Sequence, residues 1–305
     1  MSLTVDQLAA ELWAHVGSDA EAFTEAWRQA HYAAQAVAEV GKSWGEPRED
    51  DAHSALLFDP EDETWCSPAA DRHGGVRARL DLGAGVITID RDEPGEGAWI
   101  DPTGRTLETL RQWVRSTAER LTDAPPDQDA QPAPDLPEHE LGTGGRFSFD
   151  DAGALSQLET LYTFAADLLA RTAEAVHART ADGEDELMIR LWPHHFDVAT
   201  LAVLARDAGG NMTKTIGVGL TPPDETEGSG YFYVSAWRKD GESSEAPTLS
   251  PMPHGRWEMR GGGSAMAVLP ISEIAQLDDA SDQSERIAAF VAAGFNTCEE
   301  MLGHG

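Results

Sequence analysis

The sequence predicts an α+β fold, with mostly antiparallel sheet built as two tandem helix–sheet–helix units. Three observations carry this. Long segments with apolar residues at helical spacing stand at the start and end of each half. Short β-branched and aromatic runs, separated by tight-turn residues, lie between them. A proline-rich stretch near the middle separates two halves that repeat the same order: long helix, meandering strands, closing helix. Residue identity between the halves is too low to prove duplication, but the shared order suggests a tandem repeat about a pseudo-twofold.

In chain order, Thr4–Gln7 and Ser18–Glu21 match the capping-box pattern and start helices at about 5–15 and about 19–41. In the second, Phe23, Trp27, Ala30, Ala34, Val37 and Gly41 fall on one face, predicting a single buried stripe. Strand-like runs follow at Ser54–Phe58, Val76–Leu82 and Val86–Asp90, with Gly83-Ala84-Gly85 as a hairpin turn between the last two. A helix over about 106–121, with Leu107, Leu110, Trp113, Val114 and Leu121 inward, closes the first half.

Residues 122–137 hold five of the 17 prolines and almost no large apolar side chain, the composition of an extended, solvated linker. The expected organisation is therefore a unit over 1–121, a Pro/Asp-rich linker over 122–147, and a unit over 148–305. The second unit opens with a helix over about 152–179. Strands are expected at 187–192, 197–205, 212–220, 230–237 and 264–269, with a Gly- and Pro-rich excursion at 241–263. Asp282–Glu285 is a further capping-box match, before a helix that turns Ile287, Phe290, Val291, Gly294, Cys298 and Met301 inward.

Charge narrows the function classes. With 54 acidic against 22 basic residues, the net charge of −32 repels phosphate backbones and anionic membranes, so neither nucleic acid nor a membrane is an expected partner. Two origins fit the acidity: adaptation to a high-salt cytosol, or ordinary acidity with solvated acidic loops. Two distant cysteines, Cys66 and Cys298, make neither a disulfide framework nor a zinc ribbon. The N-terminal stretch lacks a basic region followed by an apolar one, and no apolar run approaches the length of a membrane span. A soluble, cytoplasmic protein is expected.

The densest run of chemically capable side chains is Leu191–Leu204, LWPHHFDVATLAVL, read as strand, short break, strand. In an extended backbone His194 would share a face with Trp192 and Phe196, and His195 with Asp197. On that reading the adjacent histidines could not ligate one ion, whereas His195 and Asp197 could hold a metal or act as an oriented general base. A third ligand has no set spacing; His254, Asp224 and Glu225 are the candidates. The competing reading has Asp197 capping a turn and the histidines filling a semi-polar corner. Further on, Tyr231, Tyr233, Ser235 and Trp237 fall on one face of a strand, and with Trp257 they could line a ligand pocket or simply pack under a helix.

Several motifs are absent. Gly217-Val218-Gly219 is followed by Leu-Thr-Pro-Pro rather than a helix, so it is not a dinucleotide fingerprint. Gly142–Gly145 and Gly261–Gly263 lack the ending of a phosphate loop, and no nucleophile elbow, His-Glu-x-x-His or Cys-x-x-Cys occurs.

The pattern resembles a family of bacterial proteins catalogued only as a domain of unknown function. The likeness is carried by His31, Gln35 and Gly41-Lys42, by Trp192 with Phe196–Ala199, and by Tyr231-Phe232-Tyr233. It would cover most of residues 23–302 and implies two consecutive helix–sheet–helix units, with no reaction attached. That family carries a His-Glu segment near the position where this chain reads Met212–Glu225, which has no histidine, so a family site using those groups does not transfer.

Three functions stay open at this point. The first is a small-ligand-binding protein, with Trp192, His194, Tyr231, Tyr233, Trp237 and Trp257 around the ligand. The second is a metal- or histidine-assisted hydrolase with His195 and Asp197 as catalytic groups. The third is a structural or partner-binding protein without a pocket. A cavity holding His195 and two further ligand-capable side chains would favour the enzyme; an apolar pocket without them would favour binding.

Overall fold

The computed structural model describes residues 3–9, 16, 20–48, 51–70, 74–91, 97–128, 134–177, 189–224, 228–239, 249–259 and 265–303. The helices in chain order are α1 (Val5–Ala9), α2 (Ala20–Val37), α3 (Glu39–Trp44), α4 (Leu107–Thr122), α5 (Ala152–His177), α6 (Ile271–Ile274) and α7 (Ala280–Leu302). The strands are β1 (Leu56–Asp59), β2 (Thr64–Cys66), β3 (Arg77–Asp81), β4 (Val86–Asp90), β5 (Gly97–Ile100), β6 (Arg190–Trp192), β7 (Asp197–Arg206), β8 (Met212–Thr221), β9 (Tyr231–Arg238), β10 (Arg256–Met259) and β11 (Ala265–Pro270). Every strand pair with a defined register is antiparallel, and the fold is α+β.

Two compact units emerge, and their boundary differs from the expected one. One comprises 19–159 with 190–197; the other comprises 1–18, 160–189 and 198–305. The division falls inside α5 rather than in the proline-rich stretch. The reason is visible along that stretch. The Gln128 amide donates to Ser43 O (3.0 Å), and the Tyr32 hydroxyl donates to Pro137 O (2.8 Å). Phe147 N and Gly104 N close a backbone pair with Arg105 O and Phe147 O. Low hydrophobicity marked this segment as solvated, but backbone hydrogen bonds, which composition does not encode, tie it down.

In the unit built around 19–159 the strands run in the order β6-β1-β2-β3-β4-β5. Strands β3 and β4 alternate half-buried and buried residues, with Ala78, Leu80, Ile87 and Ile89 inward. Their turn is the expected one. Gly85 has φ +63°, and Asp81 Oδ1 accepts from the Ala84 amide at 2.7 Å. Thr106 caps α4 by accepting from Thr109 N at 3.2 Å, and Leu110, Val114 and Leu121 are fully buried. The helical stretch departs from its expected single stripe: from Gln29 on α2 to Gly41 on α3 every residue is buried, including Gln29, His31, Gln35 and Glu39. A helix buried all round must find partners for those polar groups inside the protein.

In the other unit the order is β7-β8-β9-β11-β10. Phe232 and Val234 are buried beneath α7, where Gly294 stands close enough to Val234 that a Cβ would lie 3.1 Å from its side chain. Helix α7 begins at Ala280, two residues before the expected capping box. The cap is Asp279, whose Oδ1 accepts from Ser281 N (2.8 Å) and Asp282 N (3.3 Å). Strand β10 occupies part of the excursion read as irregular, because Arg256–Met259 pairs with β11. Both units place helices on an antiparallel meander. Ser18, Glu225, Gly261–Gly263, and the outer parts of the helices expected at 5–15 and 152–179 lie outside the described residues.

Candidate functional site

The Leu191–Leu204 segment is strand, turn, strand. Strand β6 pairs with β1 through Leu191 opposite Leu56 and Arg190 opposite Leu57. The chain then reverses at Pro193–Phe196. Trp192 O accepts from His195 N at 3.1 Å and from Phe196 N at 2.6 Å, and Phe196 takes φ +57°. A bulky residue in the left-handed region is held there only by its surroundings. The holding groups come from α2. His31 Nε2 donates to Pro193 O at 3.0 Å, Gln35 Nε2 donates to the same oxygen and to His31 O, and the Phe196 ring stacks on His31 (centroids 5.4 Å, 17°).

These contacts fix chemistry as well as shape. Because His31 Nε2 carries the donated proton, Nδ1 has none while the ring is neutral. Burial pushes the His31 pKa down to about 4, the Pro193 and His194 carbonyls opposing it only in part. Gln35 uses its amide nitrogen on two carbonyls, and its Oε1 is buried without a hydrogen-bond partner.

The turn alters the relation between the two histidines expected from an extended backbone. Their rings lie side by side, centroids 4.3 Å apart, because Pro193–Phe196 is not extended and strand alternation does not apply. His195 is exposed and His194 half-buried, with Trp192 edge-on to His194 at 6.0 Å. Burial first, then His195 and Lys42, lower the pKa of His194; Asp51 opposes them. Asp197 is half-buried at the first position of β7.

Lys42 and its neighbours carry more of the site than the sequence reading gave them. On α3 Glu39 is buried, its Oε1 accepting from Arg111 Nε (2.7 Å) and its Oε2 from Arg115 Nη1 (3.3 Å). Arg115 also donates to Ser43 Oγ at 2.7 Å. Lys42 is half-buried beside them, its pKa lowered chiefly by burial and also by Arg111, against Glu39 and Asp51. Gly41 has to be glycine, since a Cβ there would run into the His53 carbonyl oxygen. The available signal was the spacing: 31, 35 and 42 stand about one, and then two, helical turns apart along nearly continuous helix.

The aromatic row lies in the other unit. Tyr231 is buried and its hydroxyl donates to Asp224 Oδ2 (2.9 Å); Tyr233 covers Gly219, where a Cβ would stand 2.7 Å from the ring; Trp237 is exposed. Trp257 does not extend this row. Its register partner Ala267 pairs with Val234, which puts it on the opposite face, and its indole donates to Ser250 O at 2.9 Å. His254 belongs to that unit as well.

Among the described residues no three His, Cys, Asp or Glu side chains gather into a metal-binding group. Two surface depressions, of about 580 Å³ (Gln7, Asp167, Arg171, Glu174) and about 390 Å³ (Glu21, Glu25, Arg28), are lined largely by charged side chains and include no residue of the turn. No described helix is long and apolar enough to cross a membrane. Fold and site together define an α+β protein with a rigidly seated, histidine-bearing turn. No family model, curated protein or solved structure matches the chain.

Proposed function

We propose that this chain is a small-ligand-binding protein whose site is the Trp192–Asp197 turn together with Lys42. One observation carries the reading. The turn is fixed from α2 through the Pro193 carbonyl and the Phe196 ring, while no side-chain polar atom of Trp192, His194 or His195 takes part in those contacts. A seated turn with partly exposed imidazoles is a pre-organised recognition surface, for which little ordering cost remains on binding. Tyr231 and Trp257 use their polar tips within their own unit, so the site is assigned to the turn.

The likeness to a domain of unknown function read from the sequence belongs to the same proposal. Of the residues that carry it, His31 and Gln35 meet Pro193 and Phe196, although 158 to 165 positions separate the partners. The tandem reading of the two units, and a pseudo-twofold between them, belong to the same proposal; its support is the order helix, antiparallel meander, helix found twice.

The test is a small-molecule screen read by imidazole ¹⁵N NMR. Ligands of this site shift His194 and His195 saturably and leave His254 in place. A broad library that moves neither histidine would sink the proposal.

A further inference from the structure

We propose that the turn binds one divalent transition-metal ion, copper(II) or nickel(II), through one ring nitrogen of His194 and one of His195. This rests on the ligand-binding reading above and names the chemistry of the same site.

Elsewhere in the chain the histidine rings are committed to the fold. His31 donates to Pro193 O, His53 Nδ1 accepts from Arg48 N at 3.2 Å, and His139 Nε2 reaches Glu25 Oε1 at 3.2 Å. His194 and His195 differ. None of their four ring nitrogens makes a hydrogen bond or ion pair among the described residues. His195 is exposed, and neither ring nitrogen of the half-buried His194 is sealed from solvent. Two imidazoles with idle nitrogens thus stand side by side, centroids 4.3 Å apart and planes at 53°.

That separation suits one shared ion. Imidazole nitrogen binds a divalent ion of this class at about 2.0–2.1 Å, which sets a ring centroid about 3.2 Å from an ion in its plane. Two centroids 4.3 Å apart then subtend about 85° at the ion. This is the cis angle of a square-planar or tetragonal ion, narrower than the roughly 109° of tetrahedral zinc, and copper(II) heads the affinity order for such ligands.

Neighbouring residues can share an ion only where the backbone sets both rings on one side, which strand alternation forbids. Here Trp192 O accepts from His195 N and Phe196 N, Phe196 takes φ +57°, and His31 and Gln35 hold Pro193 O. The second imidazole therefore meets an ion held by the first at high effective concentration. No third His, Cys, Asp or Glu side chain joins the pair among the described residues, so the ion keeps exchangeable positions where donor atoms of a small ligand can enter. The field of the molecule favours such an ion, because a net charge of −32 draws cations and repels anions.

The experiment titrates the full chain with copper(II), read by calorimetry and electron paramagnetic resonance, with nickel(II) and zinc(II) titrated in parallel. The expected result is one saturable copper site whose spectrum shows two equatorial nitrogens. His194→Ala and His195→Ala should each weaken it by roughly tenfold or more and remove one nitrogen from the spectrum, while His254→Ala changes neither. His195→Ala, at an exposed position, decides alone if the His194 variant does not fold. Full affinity in these variants, or affinity that His254→Ala lowers equally, means adventitious copper only and overturns the proposal. Zinc bound as tightly as copper would overturn the assignment of the ion. If no metal binds while a small molecule shifts His194 and His195 in the screen above, the metal is wrong and the ligand-binding reading stands. If neither metal nor small molecule engages the two rings, both fall.

Discussion

Two reversals of the chain, at either end of β7, are held by opposite means. The hairpin between β7 and β8 is held by its own residues: Asp207 Oδ1 accepts from Gly209 N, Asn211 N and Asn211 Nδ2, each at 3.0 Å, and Gly210 takes φ +84°. Together with Lys239, these donors hold the Asp207 carboxyl well below the usual carboxylate range. It is exposed and local. The Pro193–Phe196 turn is instead clamped by His31 and Gln35, 162 and 158 positions away, under a fully buried Phe196. A self-held hairpin uses its polar side chains to exist, whereas a turn held from a distance leaves its own imidazoles available. That is the physical reason for proposing the ligand site at the second.

The contrast can be broken most forcefully at Phe196. Phe196→Ala removes a fully buried ring and its stack on His31, and should cost about 3–5 kcal/mol in denaturant unfolding. A loss below about 1 kcal/mol would mean the turn is not seated as described. Acid should come next. His31 is neutral in the fold with its pKa pushed down to about 4, against an ordinary value of 6.5. The unfolded chain therefore takes up this proton first, and stability present above about pH 6.5 is lost as pH falls towards about 4. The full effect is about 3 kcal/mol. Denaturant melts across that window check it, and His31→Gln, which keeps a donor, should flatten the slope.

A smaller effect is expected at the second clamp. Gln35→Leu leaves Pro193 O with His31 alone and should cost about 1 kcal/mol, while also removing the unpartnered Oε1. Smallest is Asp207→Ala. Hydrogen exchange should quicken at 208–211 and beside Lys239, with no change around the Pro193–Phe196 turn, because apart from Lys239 the contacts of Asp207 are local to that hairpin. Salt separates the two regions again. The Lys239–Asp207 pair should weaken in molar KCl, whereas the buried clamp should not. If the charge of −32 is a salt adaptation, the melting temperature should rise markedly in the same KCl, and a melting temperature indifferent to it would favour ordinary acidity.

Much of the frame was legible in the sequence because its signals are local. Periodicity located α4, α5 and α7, and the Gly83–Gly85 turn and β4 fall where residue type put them. The short edges β5 and β10 were missed, since four-residue strands with a glycine or mixed burial carry little alternation. The linker was misjudged because its anchors are backbone atoms, Gln128 N and Pro137 O, on which composition is silent. At the site, the organising stretch and its break were readable from Pro193. The clamp was not, because His31 and Gln35 act at a separation no spacing rule reaches. Alternation then misplaced the histidines, since one left-handed residue, Phe196, ends the period-two rule.

The claim that α2 seats the turn through a neutral His31 is tested most directly by the imidazole ¹⁵N spectrum followed from about pH 7.5 down to about pH 4.5. Across that range His31 should keep its proton on Nε2 and remain neutral until about pH 5, with His194 titrating below the ordinary imidazole range. A His31 that titrates near pH 6.5, or that carries its proton on Nδ1, would contradict the clamp and the seated turn with it.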